Sequence, residues 1–364
     1  MARSGDLHFH RFPQSKSVDA VRWLSPFSAF DRFAAAAVHD PDTASSALEI
    51  HSLTVDAANP KSPLLHLCSF WSSPSRISSL RSSQTSHKHL VAAAATLSGS
   101  LHLLFVDPVE GSIDSELSIA DDHSLHAGPI SAVDLQAGGQ ACVSVGEDGR
   151  VNLVTVGEAR LDHQRVHDSR GLVSYMAARW ASPAEFATGG LGFGVQWWDQ
   201  RKPGGLVSQF KGNWARGSLT GMVHSIDIHP SRKHICVVGG SSGTVFAWDL
   251  RSQQQPILLS GVSLNGTTQP ISESEVWEVQ YDSYTHSSNI NSTSSTRILP
   301  IMMCSEDGIL AVLEQGEEPI ELLAENSAIN AFDVDPQNPS DVICGLEWES
   351  IGILTRSRET VARY

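Results

Sequence analysis

Hydrophobic and polar residues alternate in short runs along this chain, and the runs come in pairs separated by a tight turn. The segment 141–156, ACVSVGEDGRVNLVTV, has β-branched residues on both sides of an Asp-Gly pair, and IMMCSEDGILAVL at 301–313 repeats the arrangement. Alternation with a period of two predicts strands, and Asp-Gly supplies the positive φ of a hairpin turn. Each copy is therefore predicted to be a β-hairpin in which the turn Asp, Asp148 or Asp307, bonds local backbone.

The hairpin recurs along the whole sequence. Seven copies are found, at residues 33–53, 91–106, 141–156, 186–199, 235–250, 301–313 and 342–356. The glycines assigned to the turns of the last six copies are spaced by 50, 45, 49, 65 and 44 residues, and they are Gly99, Gly149, Gly194, Gly243, Gly308 and Gly352. The longest interval contains the polar tract 283–296, which has too few apolar residues to offset the entropy of ordering and is predicted to be a flexible loop insertion in the sixth repeat.

Further apolar segments complete each repeat. They precede the hairpins at residues 17–24, 129–136, 223–230, 275–282 and 328–335, and follow them at 64–70, 206–210 and 320–325. Four antiparallel strands every 45 to 50 residues, with no amphipathic helix between them, predict the blade of a β-propeller. Residues 1–364 are thus expected to form a single all-β domain of seven blades. Because nothing strand-like follows the last hairpin, residues 6–12 are predicted to be the outer strand of the last blade and to close the ring.

Composition narrows the partners that such a ring would bind. The chain has 25 Lys and Arg against 40 Asp and Glu, a formal net charge of −15, so the clustered positive charge that phosphate binding needs is not expected. No run approaches the ~20 apolar residues of a membrane span, and the N-terminus lacks the apolar core of a signal peptide. We therefore expect a soluble chain that is not secreted, without direct nucleic-acid binding and without membrane insertion.

Candidate chemistry is sparse. The five cysteines contain no C-x-x-C, and His163 and His167 have no third ligand at a suitable spacing, so neither a disulfide framework nor a metal site is predicted. The glycine-rich stretch at 189–194 is followed by a strand pattern rather than a helix, which favours a structural turn over a dinucleotide loop. Cys142 and Cys236 share one register and are predicted to pack in the core. No G-x-S-x-G nucleophile elbow occurs. The sequence predicts no catalytic residue and no cofactor, and hence no enzyme.

The chain has nine tryptophans. Trp198 and Trp248, at the ends of predicted third strands, are expected to pack between blades. Trp71, Trp214 and Trp348 lie at strand ends or in loops, and each is a candidate anchor for a protein partner because Trp is enriched among interface hot spots. Packing in the core is the alternative interpretation for each of these three.

Two segments end in Trp-Asp followed by a basic residue, QWWDQR at 196–201 and FAWDLR at 246–251, and this pattern resembles the WD40 repeats. A closer likeness lies in VGEDGRVNL at 145–153, GGSSGTVFAWDLR at 239–251 and SEVWEVQ at 274–280. These segments resemble the blades of the nucleoporin forty-three family, a WD40 subunit of the Y-shaped scaffold of the nuclear pore. The Ser- and Ala-rich texture of the chain suggests a divergent plant member.

The resemblance implies a non-catalytic structural subunit of the nuclear pore complex, located at the nuclear envelope and supporting transport of protein and mRNA. It also implies docking on other pore scaffold proteins, especially the α-solenoid subunit of the short arm of the Y complex. An alternative uses the same residues. The W-D-x-R pattern at 198–201 and 248–251 matches WD40 substrate receptors of cullin-type ubiquitin ligases, in which Arg201 and Arg251 would contact the adaptor. A plain structural role for these arginines is the third interpretation.

Overall fold

The computed structural model describes residues 7–25, 32–55, 63–85, 90–119, 125–192, 194–202, 204–211, 221–251, 256–260, 271–288 and 298–357. Within these ranges there are 28 strands and one short helix. The strands form seven antiparallel sheets of four strands each. The predicted all-β, seven-bladed propeller of WD40 type is confirmed.

The blades follow one another along the chain. Blade 1 is β2 (Ser17–Trp23), β3 (Phe33–Asp40), β4 (Ser45–Val55) and β5 (Pro63–Ser73), and blade 2 is β6 (Ile77–Gln84), β7 (Leu90–Thr96), β8 (Leu101–Val106) and β9 (Ile113–Ile119). Blade 3 is β10 (Ile130–Leu135), β11 (Ala141–Gly146), β12 (Arg150–Val156) and β13 (Leu161–Asp168), and blade 4 is β14 (Tyr175–Ser182), β15 (Glu185–Gly190), β16 (Gly194–Asp199) and β17 (Leu206–Lys211). Blade 5 is β18 (Val223–Ile228), β19 (Ile235–Gly240), β20 (Val245–Asp249) and β21 (Ile257–Ser260).

The last two blades contain the helix and the ring closure. Blade 6 is β22 (Val276–Tyr281), β23 (Ile301–Ser305), β24 (Ile309–Leu313) and β25 (Ile320–Ala324), with α1 (Ser283–Ser288) after its first strand. Blade 7 is β26 (Ile329–Val334), β27 (Asp341–Leu346), β28 (Ser350–Arg356) and, as its outer strand, β1 (Leu7–Pro13). β1 pairs antiparallel with β28 from Leu7–Arg356 to Pro13–Ser350. The predicted closure by the N-terminal segment is confirmed.

Four of the six predicted turn glycines have the left-handed backbone expected of them. They are Gly99, Gly149, Gly243 and Gly308, with φ of 93°, 77°, 66° and 84°. The assignment of Gly194 is wrong, because this residue begins β16 and the positive φ, 74°, falls on Gly192. In blade 4 the turn glycine therefore lies two residues before the predicted one, while the hairpin itself lies where it is predicted.

The assignment of Gly352 to a turn is also wrong. Gly352 lies inside β28, and the positive φ of that hairpin, 50°, falls on Glu349. A Cβ at Gly352 would lie 2.6 Å from the ring of Phe9 on β1. The glycine is required because the closing strand packs its Phe ring against the backbone of its neighbour.

The predicted loop at 283–296 begins as α1 rather than as an irregular segment, and residues 289–297 lie outside the described residues. The first turn is attached to blade 7, since the Tyr284 hydroxyl donates to the Arg356 carbonyl at 2.8 Å. The Arg356 guanidinium lies 4.4 Å from the Tyr284 ring and donates to Asp282 at 2.7 Å. Contacts with blade 7 therefore hold the start of this segment in place. The flexibility of residues 289–296 stays a prediction.

The core lies between the blades. Each hydrophobic cluster joins neighbouring sheets, and together the clusters link blades 7, 1 and 2, then 2 and 3, 3 and 4, 4 and 5, 5 and 6, and 6 and 7. Trp198 and Trp248 are 0% and 4% exposed within them, as predicted. Because every blade buries its faces only against other blades, the ring must close for any of them to be fully covered.

The antiparallel order gives the ring two faces. The tight turns between second and third strands and the connections between blades lie on one side, which we call the connection face. Its tight turns are residues 41–44, 97–100, 147–149, 191–192, 241–244, 306–308 and 347–349. The turns between first and second and between third and fourth strands lie on the opposite face.

Candidate interaction surfaces and the central ring

Polar side chains line the axis of the propeller at one equivalent position in each inner strand. Each inner strand has a register shift near its start, and the polar residue follows two positions after that shift. These seven residues, which we call the central ring, are Arg22, Arg81, Asp134, Arg179, Asp227, Gln280 and Asp333. Sequence reasoning missed the ring, although its signal was present as one polar residue at the same place in every apolar inner segment.

Ion pairs connect the central ring. Arg22 of blade 1 donates to both carboxylate oxygens of Glu278 in blade 6, at 2.6 and 3.0 Å, and both side chains are 9% exposed. Arg81 of blade 2 donates to the same carboxylate at 2.9 Å. On the other side of the ring, Arg179 of blade 4 contacts Asp134 at 3.2 Å and Asp227 at 3.1 Å. Arg81 also lies 3.8 Å from Asp134, so charges from six blades are joined at the axis.

The acidic and amide members also bond the backbone of the next blade. Asp134 accepts from the Trp180 amide at 2.7 Å, and Asp227 accepts from the Tyr281 amide at 2.8 Å. Asp333 accepts from the Trp23 amide at 2.8 Å, which ties blade 7 to blade 1. A charged hydrogen bond of this kind contributes ~1.5–3 kcal/mol, so the ring sets the relative position of the inner strands.

Burial and charge act against each other on Glu278 and Asp333, the two carboxylates on which the charge of Arg22 acts. Burial opposes ionisation of Glu278, but the charges of Arg22 and Arg81 prevail and lower its pKa. For Asp333 burial prevails, and its pKa rises to about 6 despite the charge of Arg22.

Cavities of about 190 and 230 Å³ lie along the axis, and both are bordered by Arg22, Arg81 and Glu278. Because these ion pairs occupy the axis, protein partners would use the faces or the rim.

One cluster has the connectivity of a hydrolase triad. His126 Nδ1 lies 3.0 Å from Asp148 Oδ1, and His126 Nε2 lies 3.1 Å from Ser144 Oγ. Ser144 is 0% exposed and His126 is 1% exposed, so no substrate carbonyl could reach the hydroxyl. The cluster instead holds a turn, because Asp148 also accepts from the amides of Arg150 and Ala127, at 3.0 and 2.8 Å.

These bonds fix the charge of the turn carboxylate. Burial opposes its ionisation, but the hydrogen bond from His126 lowers the pKa of Asp148 to about 2. Asp307, its counterpart in blade 6, accepts from the Ser272 hydroxyl at 2.9 Å and from the Glu273 amide at 3.3 Å. Both turn residues therefore join a tight turn to the connection that precedes the blade.

The remaining chemical candidates lie in structural positions. Cys142, Cys236, Cys304 and Cys344 are buried, while Cys68 is exposed. Burial raises the pKa of Cys236 and of Cys344 to about 12, which keeps these thiols neutral. Among the described residues there is no group of three or more side chains that could hold a metal ion. His163 and His167 both lie on the outer strand β13. The glycine-rich stretch supplies the end of β15, Gly192 in the turn and the start of β16.

Arg201 and Arg251 lie on the opposite face, after the third strands of blades 4 and 5. Each guanidinium forms two bonds with the Asp two residues before it, at 2.8 and 3.0 Å for Asp199 and at 3.1 and 2.9 Å for Asp249. The arginine side chains are 68% and 66% exposed. The hydrogen bond from Arg201 lowers the pKa of Asp199 to about 2. Contact with an adaptor stays a prediction.

The three tryptophans singled out as anchors have different surroundings. Trp71 is half-buried, and its Nε1 donates to Glu116 of blade 2 at 2.8 Å. Trp348 is 69% exposed at the tip of a tight turn on the connection face. Trp214 lies outside the described residues. Trp348 is therefore the candidate that the described structure leaves available to a partner.

The rim adds a surface that the sequence did not reveal. β5, the outer strand of blade 1, has 11 residues and no charged side chain. It exposes Leu64, Leu67 and Phe70, which are 41%, 53% and 64% accessible. The loop of blade 2 that contacts it presents Val109, which is 63% exposed. An outer strand without charges is unusual, because charges on an edge normally prevent unwanted pairing.

A closed ring of seven four-stranded blades, with Trp-Asp at the ends of the third strands of blades 4 and 5, is a WD40-type β-propeller. The chain is 58% identical to the Arabidopsis thaliana nuclear pore complex protein NUP43 over 360 residues, which is 95% of this chain and 97% of that protein. It therefore belongs to the Nup43 family of nuclear pore complex proteins, as its resemblance to nucleoporin forty-three implied.

Animal relatives match a shorter stretch. Human nucleoporin Nup43 is 31% identical and mouse nucleoporin Nup43 is 30% identical, each over 174 residues that make up 46% of this chain and 37% of the relative. No protein-family model matches the chain. Within the described residues, no helix is long and apolar enough to span a bilayer.

Proposed function

We propose that this chain is a non-catalytic scaffold subunit of the nuclear pore complex, located at the nuclear envelope and supporting transport of protein and mRNA. The observation that carries the proposal is the identity of 58% to Arabidopsis NUP43 along nearly the whole chain. The ion-paired axis and the interblade cores supply a rigid body, so a partner would bind without first ordering the propeller.

The direct partner in this proposal is the α-solenoid subunit of the short arm of the Y complex, as the family resemblance implies. A non-catalytic role is supported by the burial of the one Ser-His-Asp cluster described above, with Ser144 at 0% exposure. It is supported further by the buried cysteines, whose raised pKa keeps them from acting as nucleophiles.

Imaging and purification of a tagged full-length chain in plant cells would test the proposal. We expect a punctate signal at the nuclear rim and co-purification of other pore scaffold subunits. A diffuse signal without those subunits would contradict the pore assignment. Co-elution of the purified chain with the purified α-solenoid subunit would test the direct partner, and failure of that step alone would contradict only the partner.

The same purification addresses the ubiquitin-ligase alternative. Exposure of Arg201 and Arg251 leaves both side chains accessible, while their bonds to Asp199 and Asp249 favour a structural role. Recovery of a cullin adaptor that is lost when both arginines are changed to Ala would support the alternative. Recovery of pore subunits without any adaptor would exclude it.

A further inference from the structure

Trp348 is exposed where other tryptophans are covered. It is 69% exposed at the tip of the turn between β27 and β28. The other tryptophans of the described residues are buried or half-buried, and they are Trp23, Trp71, Trp180, Trp197, Trp198, Trp248 and Trp277. An exposed indole loses the stabilisation that burial provides, and its transfer into a partner's pocket is a common source of binding energy.

The turn that carries Trp348 is held on both sides. The Glu347 amide donates to the Ala328 carbonyl at 3.0 Å, and the Ala328 amide donates back to Glu347 Oε2 at 3.1 Å. On the other side, the Gln14 amide donates to the Glu349 carbonyl at 2.7 Å. Because the backbone is already fixed, little ordering entropy would oppose binding at this turn.

The tight turns of the connection face carry charge of one sign. In the described residues these turns contain seven acidic residues and no Lys or Arg, and the acidic residues are Asp42, Glu147, Asp148, Glu306, Asp307, Glu347 and Glu349. The described connections on the same face add three acidic and three basic residues, namely Glu273, Glu275, Glu325, Lys16, Arg76 and Arg170. Lys16 and Arg76 are already paired, with Glu49 and Asp19, and among the acidic residues Glu325 pairs with Arg11 and Asp148 with Arg150.

The opposite face is different. Its turns between third and fourth strands mix acidic residues with Arg160, Arg201, Lys202 and Arg251. A net negative face repels a polyanion and attracts a positively charged protein segment, and such complementarity also sets the rate of association. The connection face thus combines one aromatic anchor with a charge preference.

We propose that the Trp348 turn is a docking site for a basic segment of another pore scaffold protein. The partner buries Trp348 in an apolar pocket and places Lys or Arg side chains against Glu347 and Glu349. This inference rests on the proposed function, which supplies the class of partner, but the site and its chemistry come from the connection face.

Overlapping peptides from the other scaffold subunits, immobilised and probed with the full-length chain at low and high salt, would test the site. We expect capture by peptides of net positive charge, weakened at high salt. Trp348→Ala should weaken capture by about tenfold or more, the loss of a typical hot spot. Glu347→Lys combined with Glu349→Lys should remove capture at both salt concentrations.

Matched variants distinguish this surface from others. Phe70→Ala removes another exposed aromatic ring, 64% accessible on β5, and should leave capture unchanged. Glu317→Lys with Glu318→Lys reverses two charges on the opposite face and should also leave it unchanged. Equal thermal midpoints of all variants would show that none of them acts by unfolding the ring.

Several results would overturn the site. They are capture of neutral or acidic peptides only, capture of none, equal binding by the Trp348→Ala chain, and equal loss in the Phe70→Ala chain. The imaging experiment separates this failure from failure of the proposed function. A wild-type chain that reaches the nuclear rim while binding no basic peptide would refute the docking site alone.

Discussion

Blade 7 and blade 4 each pack between two neighbouring blades, but they differ in the interactions that hold them there. Blade 4 is one continuous segment, Tyr175–Lys211, and its join to blade 3 adds an aromatic contact to the pair of Arg179 with Asp134 at the axis. Trp198 stacks on Phe186 at a centroid distance of 5.9 Å and lies 5.4 Å from His167 of blade 3. Its Nε1 donates to Thr188 at 2.9 Å, so the indole is buried with its polar atom satisfied.

Blade 7 is assembled from the two ends of the chain, and ion pairs surround it. Arg32 of blade 1 donates to Asp335 at 2.9 Å and to Asp341 at 2.8 Å. Arg356 of blade 7 pairs with Asp282 of blade 6 at 2.7 Å, and the two side chains are 4% and 0% exposed.

The ion pairs around blade 7 contribute to the specificity of its assembly more than to its stability. Buried ion pairs gain little over apolar packing because desolvation offsets their attraction, but a mispaired buried charge is costly. Charges around blade 7 therefore penalise any packing of this blade that leaves Asp335, Asp341 or Arg356 unpaired. In blade 4 such a penalty matters less, because its strands are adjacent in sequence and short turns determine their order.

Removal of residues 1–13 should have the largest effect on this comparison. The change exposes the edge of β28, uncovers Gly352 and deletes the bond from Arg11 to Glu325. We expect the loss of most of the ~5–15 kcal/mol that stabilises a typical protein, seen as a much lower thermal midpoint or as precipitation.

Adding a peptide of residues 1–16 in trans is the control for that deletion. The peptide should raise the thermal midpoint as its concentration increases, with a logarithmic dependence, because it binds only the folded ring. An unchanged midpoint after deletion would show that the closing strand is dispensable and that blade 7 resembles blade 4 in its energetics.

Glu278→Gln should have the next largest effect. Glu278 joins blade 1 to blade 6 across blade 7, and the variant leaves Arg22 and Arg81 beside a neutral amide. Breaking a buried pair typically costs ~3–5 kcal/mol, so we expect a decrease of about 3 kcal/mol in the free energy of unfolding, measured by urea denaturation.

An exposed pair provides the comparison. Arg201→Ala removes the contact with Asp199 in blade 4, where the arginine side chain is 68% exposed, and should leave the urea midpoint unchanged. If both variants behaved alike, the ion pairs of the central ring would be no more important to the fold than those at its surface.

The sequence predicted the architecture because the repeat is a local property. Alternating runs around turns such as Gly149 and Gly308 specify hairpins, and counting hairpins specifies the number of blades. Gly352 shows where that reasoning fails. Its role depends on Phe9, a residue more than 340 positions away in sequence but adjacent in the sheet.

The binding surfaces were harder to predict for the same reason. Trp348 was recognised as a candidate, but its exposure depends on the turn held by Gln14 and Ala328. The ion pair of Arg22 and Glu278 joins blades 1 and 6, and no spacing rule relates two residues so far apart in the chain. Which residues pair across the ring is determined by the tertiary structure.

Asp333→Asn should have a smaller effect than Glu278→Gln and the opposite sign. The pKa of Asp333 is raised to about 6 from 3.8, so the folded state holds the proton more tightly than the unfolded state. Stability therefore falls as pH rises from about 4 to about 6, and the cost is fully present at pH 7. Two pKa units correspond to ~3 kcal/mol, but solvent screening reduces this for a half-buried side chain, so we expect Asn to stabilise by about 1 kcal/mol at pH 7.

Urea denaturation at a series of pH values would measure this effect. The variant should keep the bond to the Trp23 amide and lose the decline in stability between about pH 4.5 and pH 6. Glu278 and Asp148, whose pKa values are lowered, contribute stability that is lost only below that range. The matched variant Asp227→Asn also keeps its backbone bond, but it breaks the pair with Arg179 and should be destabilising at pH 7. If Asp333→Asn were destabilising too, the charge of Asp333 would be a stabilising partner of Arg22.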